Sequence, residues 1–244
     1  MMSAVRAETH RLLSLRSTGV FAALLVGCCF GPIIVMGVVY DPAYRGPIDA
    51  GDLGKCVSIF HVLAIVFSGA YTATEIRFGS TAVSLLTQRN RWTSIAAQTV
   101  VESAFLVSAY AVGMSFALLA ALLYPDGLAM TGRSWPYLVL YLAIVLIWSS
   151  MAASIAVITR SVAAAVAVPI TWMLLIEQLA SMVPMLDRIT PWLPFNAGHA
   201  LLSQALGEAH PAALAWPSAI AAAAPALALA GTALALHVRR DAPE

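Results

Sequence analysis

Charged side chains are scarce in this sequence. Only 10% of its 244 residues are Asp, Glu, Lys or Arg, and the mean hydropathy is +0.86. A soluble domain carries about 25% charged residues, so water is not the main solvent of this chain. The formal net charge is +1 and the arginines are scattered, which argues against the concentrated basic surface of a nucleic-acid-binding protein.

Motifs for catalysis and metal binding are also missing. The chain has no GxSxG and no HExxH motif. Its cysteines, Cys28, Cys29 and Cys56, lack metal-ligand spacing, and we predict that they are small core residues. The stretch GDLGKC at 51–56 differs from a phosphate-binding loop because Asp49 replaces the first glycine and Cys56 the final Ser or Thr. We therefore predict no catalytic residue, no metal site and no cofactor in this chain.

What the sequence does contain is long apolar runs. Spanning a bilayer takes about 20 apolar residues in a helix, and six runs reach that length. They cover residues 19–40, 56–75, 96–124, 136–158, 162–183 and 213–238. The first run is too long for a signal peptide. We therefore predict an all-α integral membrane protein, with residues 1–244 forming a single transmembrane domain.

The basic residues predict an orientation. With the N-terminus inside, the cytoplasmic segments hold nine basic residues and the outer segments four, which favours cytoplasmic termini. The inner set is Arg6, Arg11, Arg16, Arg77, Arg89, Arg91, Arg160, Arg239 and Arg240, and the outer set is Arg45, Lys55, Arg133 and Arg188.

Residues 1–17 precede the first run and have an amphipathic pattern typical of a helix lying in the membrane interface. The pattern places His10 and Arg11 on the polar side. The opposite, apolar side would hold Met2, Val5, Leu12 and Leu13. We predict an interfacial helix that enters the first span from the side.

Residues 184–212 also lie outside the runs and contain three prolines. Asn196 is predicted to cap a short helix, and Gly207 to end it. Such a helix is too short to cross the bilayer. We expect it either to dip into the outer leaflet as a re-entrant segment or to pack over the helix ends.

Two carboxylates fall inside predicted spans, where a charge costs roughly 2.5 to 3.5 kcal/mol. Glu102 lies near one end of the third span, which favours a residue with satisfied hydrogen bonds. Glu177, followed by Gln178, lies deeper in the fifth span. It either takes part in proton or substrate movement or forms hydrogen bonds between helices. His61, in the second span, is expected to be a hydrogen-bonded packing residue.

Residues 75–98 carry a recognisable pattern: Glu75, then Gly79-Ser80, then Leu85-Leu86-Thr87, then Arg91-Trp92 before the next span. The pattern resembles the type-2 permeases of ATP-binding-cassette exporters. The resemblance extends over essentially the whole chain, from Glu8 with Arg11 through six spans to MVPML and WLPFNAGHALL after the fifth. Two positions depart from the family, which often has Pro at the place of Gln88 and Lys at that of Gln98.

This resemblance implies that the loop contains a coupling helix that docks on a separate ATPase, which binds ATP and Mg. The interfacial helix would contribute to the same contact through Glu8, Arg11 and Leu12. The coupling residues would be Glu75, Arg77, Phe78, Gly79, Ser80, Thr81, Leu85, Leu86, Arg89 and Arg91. If the segment were only a solvated cytoplasmic loop, the positive-inside rule would explain its arginines. It would not explain the glycine turn or the leucine pair.

The resemblance further implies a second permease, identical or not, with the substrate path lined by the first, second and fifth spans, near Glu177 and Gln178. The cargo would be a hydrophobic or amphipathic compound such as an antibiotic, exported across a bacterial cytoplasmic membrane, so that a role in drug efflux is expected. Two alternatives remain: an ion-coupled carrier using Glu177 or Glu102, and a membrane assembly or sensory subunit without transport activity.

Overall fold

The computed structural model describes residues 2–39, 46–77, 92–207 and 215–239. Within these residues the chain is helical and has no β-strand, and six helices are long and apolar enough to cross a membrane. In chain order the helices are α1 (Met2–Ser14), α2 (Arg16–Val38), α3 (Ala50–Arg77), α4 (Trp92–Leu122), α5 (Ser134–Thr159), α6 (Val162–Ser181), α7 (Pro194–Leu206) and α8 (Ala215–Arg239). The prediction of an all-helical chain with about six apolar helices is confirmed, and each predicted run overlaps one of them.

Helix α3 lies at the centre and is the most buried of the six. It packs most extensively against α5, and also against α2 and α6, while α2 packs on α4 and α8 on α5. Phe60 and Phe67 of α3 and Trp148 of α5 are fully buried in the shared core. The outer helices α2, α6 and α8 leave much of their apolar surface exposed, as expected where hydrocarbon is the solvent.

Helix α3 begins at Ala50, six residues before the predicted run. Asp49 starts it, since its carboxylate accepts a hydrogen bond from the Asp52 N–H (2.9 Å). The stretch GDLGKC is therefore part of a helix and forms no loop. The apolar-run criterion missed these first turns because they contain Asp52 and Lys55, which pair with each other at 2.7 Å.

The linkers before α3 and α5 meet at one end of the bundle. Ile48 and Leu128 form an isolated parallel bridge, in which the Ile48 N–H donates to Gly127 O (3.0 Å) and the Ala129 N–H donates to Ile48 O (2.9 Å). At the opposite end, α5 and α6 are joined by Arg160, in the left-handed region (φ 54°), and Ser161. Ser161 then caps α6 by accepting a hydrogen bond from the Ala164 N–H (3.3 Å).

Helix α6 is interrupted, and Pro169 explains where. Proline has no N–H to donate to the Ala165 carbonyl four residues earlier. Gly69 of α3 lies against that carbonyl, and a β-carbon there would be 2.9 Å from its oxygen. A π-helical turn, Trp172–Ile176, follows the proline. The extra residue in such a turn rotates the following side chains by about 100° relative to an uninterrupted helix.

Residues 182–207 form two short 3₁₀ turns, Pro184–Leu186 and Thr190–Trp192, followed by α7. Gly207 ends α7 in the left-handed region (φ 84°), as predicted. The predicted cap at Asn196 is wrong, because α7 begins at Pro194 and Asn196 lies in its first turn. Proline suits this first position, because an N–H group there would have no acceptor within the helix and its absence costs nothing.

Residues 2–14 are helical as predicted, and the predicted polar side holds for His10, which is exposed, but not for Arg11. Leu12 is buried, whereas Met2 and Leu13 are exposed. Arg11 points into the bundle toward α3. The pattern had placed Arg11 on the outer face because it treated charge as a signal for solvent, whereas the carboxylates described below attract it inward.

The cysteines match the prediction in part. Cys29 and Cys56 are fully buried, and Cys28 is half-buried. Cys29 packs on Gly113 of α4, where a β-carbon would lie 2.6 Å from the Cys29 β-carbon. Small residues at this position allow α2 and α4 to approach closely, as is usual between helices in membranes.

Candidate functional site

A four-residue cluster joins the N-terminal helix to the last turns of α3. Glu8 and Arg11 lie one turn apart on α1, and Tyr71 and Glu75 lie one turn apart on α3. The Tyr71 hydroxyl donates to Glu8 Oε1 (2.7 Å), to which Arg11 Nη2 also donates (3.2 Å). Arg11 Nη2 forms an ion pair with Glu75 Oε2. We call these four residues the α1–α3 junction.

The α1–α3 junction is largely withdrawn from solvent. Tyr71 and Glu75 are each 7% exposed, and the Arg11 side chain is 29% exposed. Leu12 packs beside the cluster, and its carbonyl accepts a hydrogen bond from the Thr18 hydroxyl of α2 (2.7 Å). Helix α1 is thereby attached to both α2 and α3, and it also packs against α4.

The sequence analysis expected Glu8, Arg11 and Leu12 to act with Glu75 at one contact, and the structure places Glu8, Arg11 and Glu75 together. Arg77, at the end of α3, is exposed. The remaining predicted coupling residues lie outside the described residues; they are Phe78, Gly79, Ser80, Thr81, Leu85, Leu86, Arg89 and Arg91. The α1–α3 junction therefore lies directly before the segment that the resemblance identifies as the coupling loop.

Glu177 directly follows the π-helical turn Trp172–Ile176. Its side chain is fully buried, and both of its carboxylate oxygens are hydrogen-bonded. Oε1 accepts from Trp172 Nε1 (2.8 Å) and from the Phe195 N–H (3.0 Å), and Oε2 accepts from the Asn196 N–H (2.8 Å). The two backbone donors are free N–H groups of the first turn of α7. Glu177 therefore caps α7 from α6, at the end of the helix dipole that favours a negative charge.

Gln178 does not share this environment. Gln178 is exposed, whereas the Glu177 side chain is turned inward toward α7. The two residues predicted to line one path thus face in different directions. Of the two roles considered for Glu177, these contacts match hydrogen bonding between helices.

A cavity of about 540 Å³ lies beside this cap and opens at the bundle surface. Its size is within the range of sites for drug-sized ligands. Leu24 and Cys28 of α2, His61 of α3, Met173 of α6 and Phe195 of α7 are among its lining residues. The wall is mainly apolar. Because Glu177 holds the backbone of Phe195, the α7 cap also fixes one wall of this cavity.

His61 is the principal polar side chain of this cavity. It is 1% exposed, and its ring lies 6.1 to 6.4 Å from those of Trp148, Tyr141 and Phe195. Within the described part of the chain, neither His61 Nε2 nor Trp148 Nε1 has a hydrogen-bond partner. The expectation that His61 is a hydrogen-bonded packing residue is thus wrong for Nε2.

Glu102 lies in a third polar cluster, between α3 and α4. The Thr72 hydroxyl donates to Glu102 Oε2 over a long 3.4 Å, and Gln98 Nε2 donates to Thr72 Oγ1 (3.1 Å). Glu102 Oε1 has no hydrogen-bond partner among the described residues. The sequence favoured a satisfied residue near a helix end for Glu102; this expectation holds for Oε2, which accepts from Thr72, but not for Oε1.

Sequence reasoning missed Tyr71, Thr72 and Ser68 as functional candidates. A signal was present, because Ser68, Thr72 and Glu75 repeat at intervals of four and three residues on one face of an otherwise apolar helix. Gln98 and Glu102 repeat in the same way on α4. Polar stripes that face each other inside a membrane indicate contact between the two helices.

The chain matches no known protein-family model and no curated protein. Within residues 2–39, 46–77, 92–207 and 215–239, no group of three or more His, Cys, Asp or Glu side chains could hold a metal ion. The candidate functional features of the described residues are the α1–α3 junction, the cavity beside His61 and the Glu102 cluster.

Proposed function

We propose that this chain is the permease subunit of an ATP-driven exporter of the ATP-binding-cassette class, powered by a separate ATPase subunit. The α1–α3 junction carries the proposal. It attaches a short N-terminal helix to the end of a spanning helix, directly before the predicted coupling loop. A motor that pushes on this loop and on α1 would move the central helix α3, which packs against α2, α5 and α6.

The cavity beside His61 is where we propose that cargo binds. Helices α2, α3 and α6, which are the first, second and fifth spans, all contribute to its wall. An apolar wall with one unpaired imidazole nitrogen suits a hydrophobic or amphipathic compound that offers a single hydrogen-bonding group. A second permease would face this wall and complete the path.

The orientation and location belong to the same proposal. The charge distribution favours cytoplasmic termini, so the α1–α3 junction would lie at the cytoplasmic end of α3, in a bacterial cytoplasmic membrane. Residues 184–206 would then lie at the outer end, with α7 as a re-entrant helix held by Glu177.

The test uses membrane vesicles from cells that express the full chain together with any ATPase subunit that a neighbouring reading frame encodes. ATP-dependent accumulation of daunorubicin, a fluorescent amphipathic compound, is measured in everted vesicles. We expect Arg11→Glu to abolish transport without preventing membrane insertion, and the swapped pair Arg11→Glu with Glu75→Arg to restore it in part. Lys55→Glu is the matched control, because its pair with Asp52 is exposed at the opposite end of α3.

Normal ATP-dependent transport by Arg11→Glu would contradict the coupling role. Transport that continues without ATP and stops when the proton gradient is collapsed would contradict the exporter proposal itself. It would favour an ion-coupled carrier, for which the unpaired Glu102 oxygen is the specific observation. Absence of transport of any amphipathic probe, together with no association with an ATPase, would indicate an assembly or sensory subunit.

A further inference from the structure

A smaller cavity, of about 80 Å³, lies about three turns farther along α3 than His61, between α3, α4, α5 and α8. Its wall includes the Glu102 cluster and, on α5, Ser150 and Ser154. Alanines of α8, Ala230 and Ala233, close one side. Helices α3, α4 and α5 each contribute polar side chains to a wall that is otherwise apolar, and α8 contributes only alanines among the described residues.

Glu102 is the only acidic residue that the described part of the chain contributes to this wall, and it is 4% exposed. A carboxylate buried in a membrane protein needs a compensating charge or full hydrogen bonding. Among the described residues no Lys or Arg forms an ion pair with it, and its Oε1 has no hydrogen-bond partner. The described protein groups therefore leave one oxygen without a donor, and they supply no positive charge that would balance an ionised Glu102.

Two hydroxyl groups of α3, those of Thr72 and Ser68, lie beside the Glu102 carboxyl group. Thr72 Oγ1 lies 3.4 Å from Glu102 Oε2, and Gln98 is in turn bonded to Thr72. Ser68, fully buried one turn from Thr72, also has a hydroxyl without a hydrogen-bond partner among the described residues. One carboxylate with several hydroxyl and amide oxygens is a hard-ligand set with a single charge. Divalent cations usually require a site richer in carboxylates.

The volume agrees with a small hydrated ion. One water occupies about 30 Å³ of the liquid, so a cavity of about 80 Å³ has room for a cation and one or two waters. An organic cargo of drug size would not fit, since sites for such ligands begin at about 300 Å³. This size separates the cavity from the one beside His61.

We propose that the cavity at Glu102 is a binding site for one sodium ion, in which Glu102 supplies the charge and Ser68, Thr72 and Gln98 supply neutral oxygens. The site lies in the tertiary contact between α3 and α4, so the ion ties the central helix to its neighbour. The inference does not depend on the exporter proposal, because it concerns the described residues of this chain alone.

The test measures the thermal unfolding midpoint of the purified full chain in detergent. Sodium chloride replaces choline chloride at constant ionic strength, and potassium chloride is compared. Binding to the folded state raises the midpoint in a saturable way; at ten times the dissociation constant the shift is about 3 to 6 °C for a chain of this size. Glu102→Gln should remain folded and lose the sodium dependence. Ser108→Ala is the matched control, because this exposed hydroxyl on α4 bonds only to its own helix, at Ala104 O.

An unfolding midpoint of the wild-type chain that is independent of sodium overturns the proposal, and so does a sodium shift that persists in Glu102→Gln. An infrared band of a protonated carboxyl group that disappears in Glu102→Gln, in saturating sodium at neutral pH, also overturns it, because the carboxylate would then be neutralised by a proton. If Glu102→Gln fails to fold, Thr72→Val replaces it. Thr72→Val should raise the sodium concentration at half-maximal shift about tenfold, and an unchanged concentration would count against the site.

Discussion

Glu177 and Glu102 are both carboxylates buried inside membrane-spanning helices, yet their surroundings differ. Three N–H donors at 2.8 to 3.0 Å satisfy both oxygens of Glu177. Glu102 has one hydroxyl at 3.4 Å and an oxygen with no partner among the described residues. The sequence had left a functional role open for Glu177 and had favoured a satisfied residue at Glu102, whereas Glu102 is the carboxylate with an unsatisfied oxygen. For a buried carboxylate, the number of hydrogen-bond donors within reach is therefore a better guide to its role than its position within the predicted span.

Removing the Glu177 side chain should produce the largest effect in this comparison. In Glu177→Ala, two backbone N–H groups of α7 and the Trp172 indole N–H lose their acceptor. An unsatisfied buried donor costs about 1 to 3 kcal/mol, so we expect a loss of at least about 3 kcal/mol of stability. Unfolding by sodium dodecyl sulfate in mixed micelles measures this loss. A loss below about 1 kcal/mol would mean that α7 does not depend on the cap.

Glu177→Gln is a milder change at the same place. The amide keeps one acceptor oxygen but turns an NH₂ group toward N–H donors, which removes charge-assisted bonds worth about 1.5 to 3 kcal/mol each. We expect a loss of about 2 kcal/mol in the same unfolding assay. Stability equal to that of the wild type would indicate that the carboxyl group is already neutral in the folded protein.

The α1–α3 junction supplies a third carboxylate, Glu75, whose partner is a cation. A double-mutant cycle with Arg11→Ala and Glu75→Ala should give a coupling energy of about 1 to 2 kcal/mol. The value is expected to lie below that of a fully buried pair because the Arg11 side chain is 29% exposed. The cycle is measured by unfolding at low and at high salt. A coupling energy near zero at both would show that the pair does not stabilise the attachment of α1.

Glu102→Gln should have the smallest effect. In sodium-free buffer the wild-type Glu102 carboxylate forms only one long hydrogen bond with the described residues. Replacing it with a neutral group of similar shape should therefore change the free energy of unfolding by less than about 1 kcal/mol, or increase it. Measured beside Glu177→Gln, this variant compares the same substitution at the two carboxylates. A loss equal to that of Glu177→Gln would remove the distinction between them.

The parts of the fold that follow from local composition were predictable. Six apolar runs gave six helices because hydrophobic length is a property of contiguous residues. Gly207 was identified as the end of α7 because a left-handed residue after a helix is a local requirement that glycine meets best. The beginning of α3 was missed because its first turns contain Asp52 and Lys55, which a hydropathy criterion excludes.

The candidate sites depend on contacts that sequence spacing does not encode. The cap of α7 comes from Glu177, 18 residues before Phe195 and across a loop, so the nearby Asn196 was chosen wrongly in its place. Tyr71 contacts Glu8 from 63 residues away. Such pairs become visible only when two helices are placed side by side, although the polar stripe on α3 shows which face to examine.

The different burial of the three cysteines also provides an experimental probe. Cys29 and Cys56 are fully buried in the core, whereas Cys28 is half-buried and lines the cavity beside His61. A maleimide small enough to enter from the lipid should therefore label this thiol first in the folded protein. Compounds that occupy the cavity should slow the labelling. The native chain thus carries its own reporter of occupancy, which allows ligands to be screened before any transported compound is known.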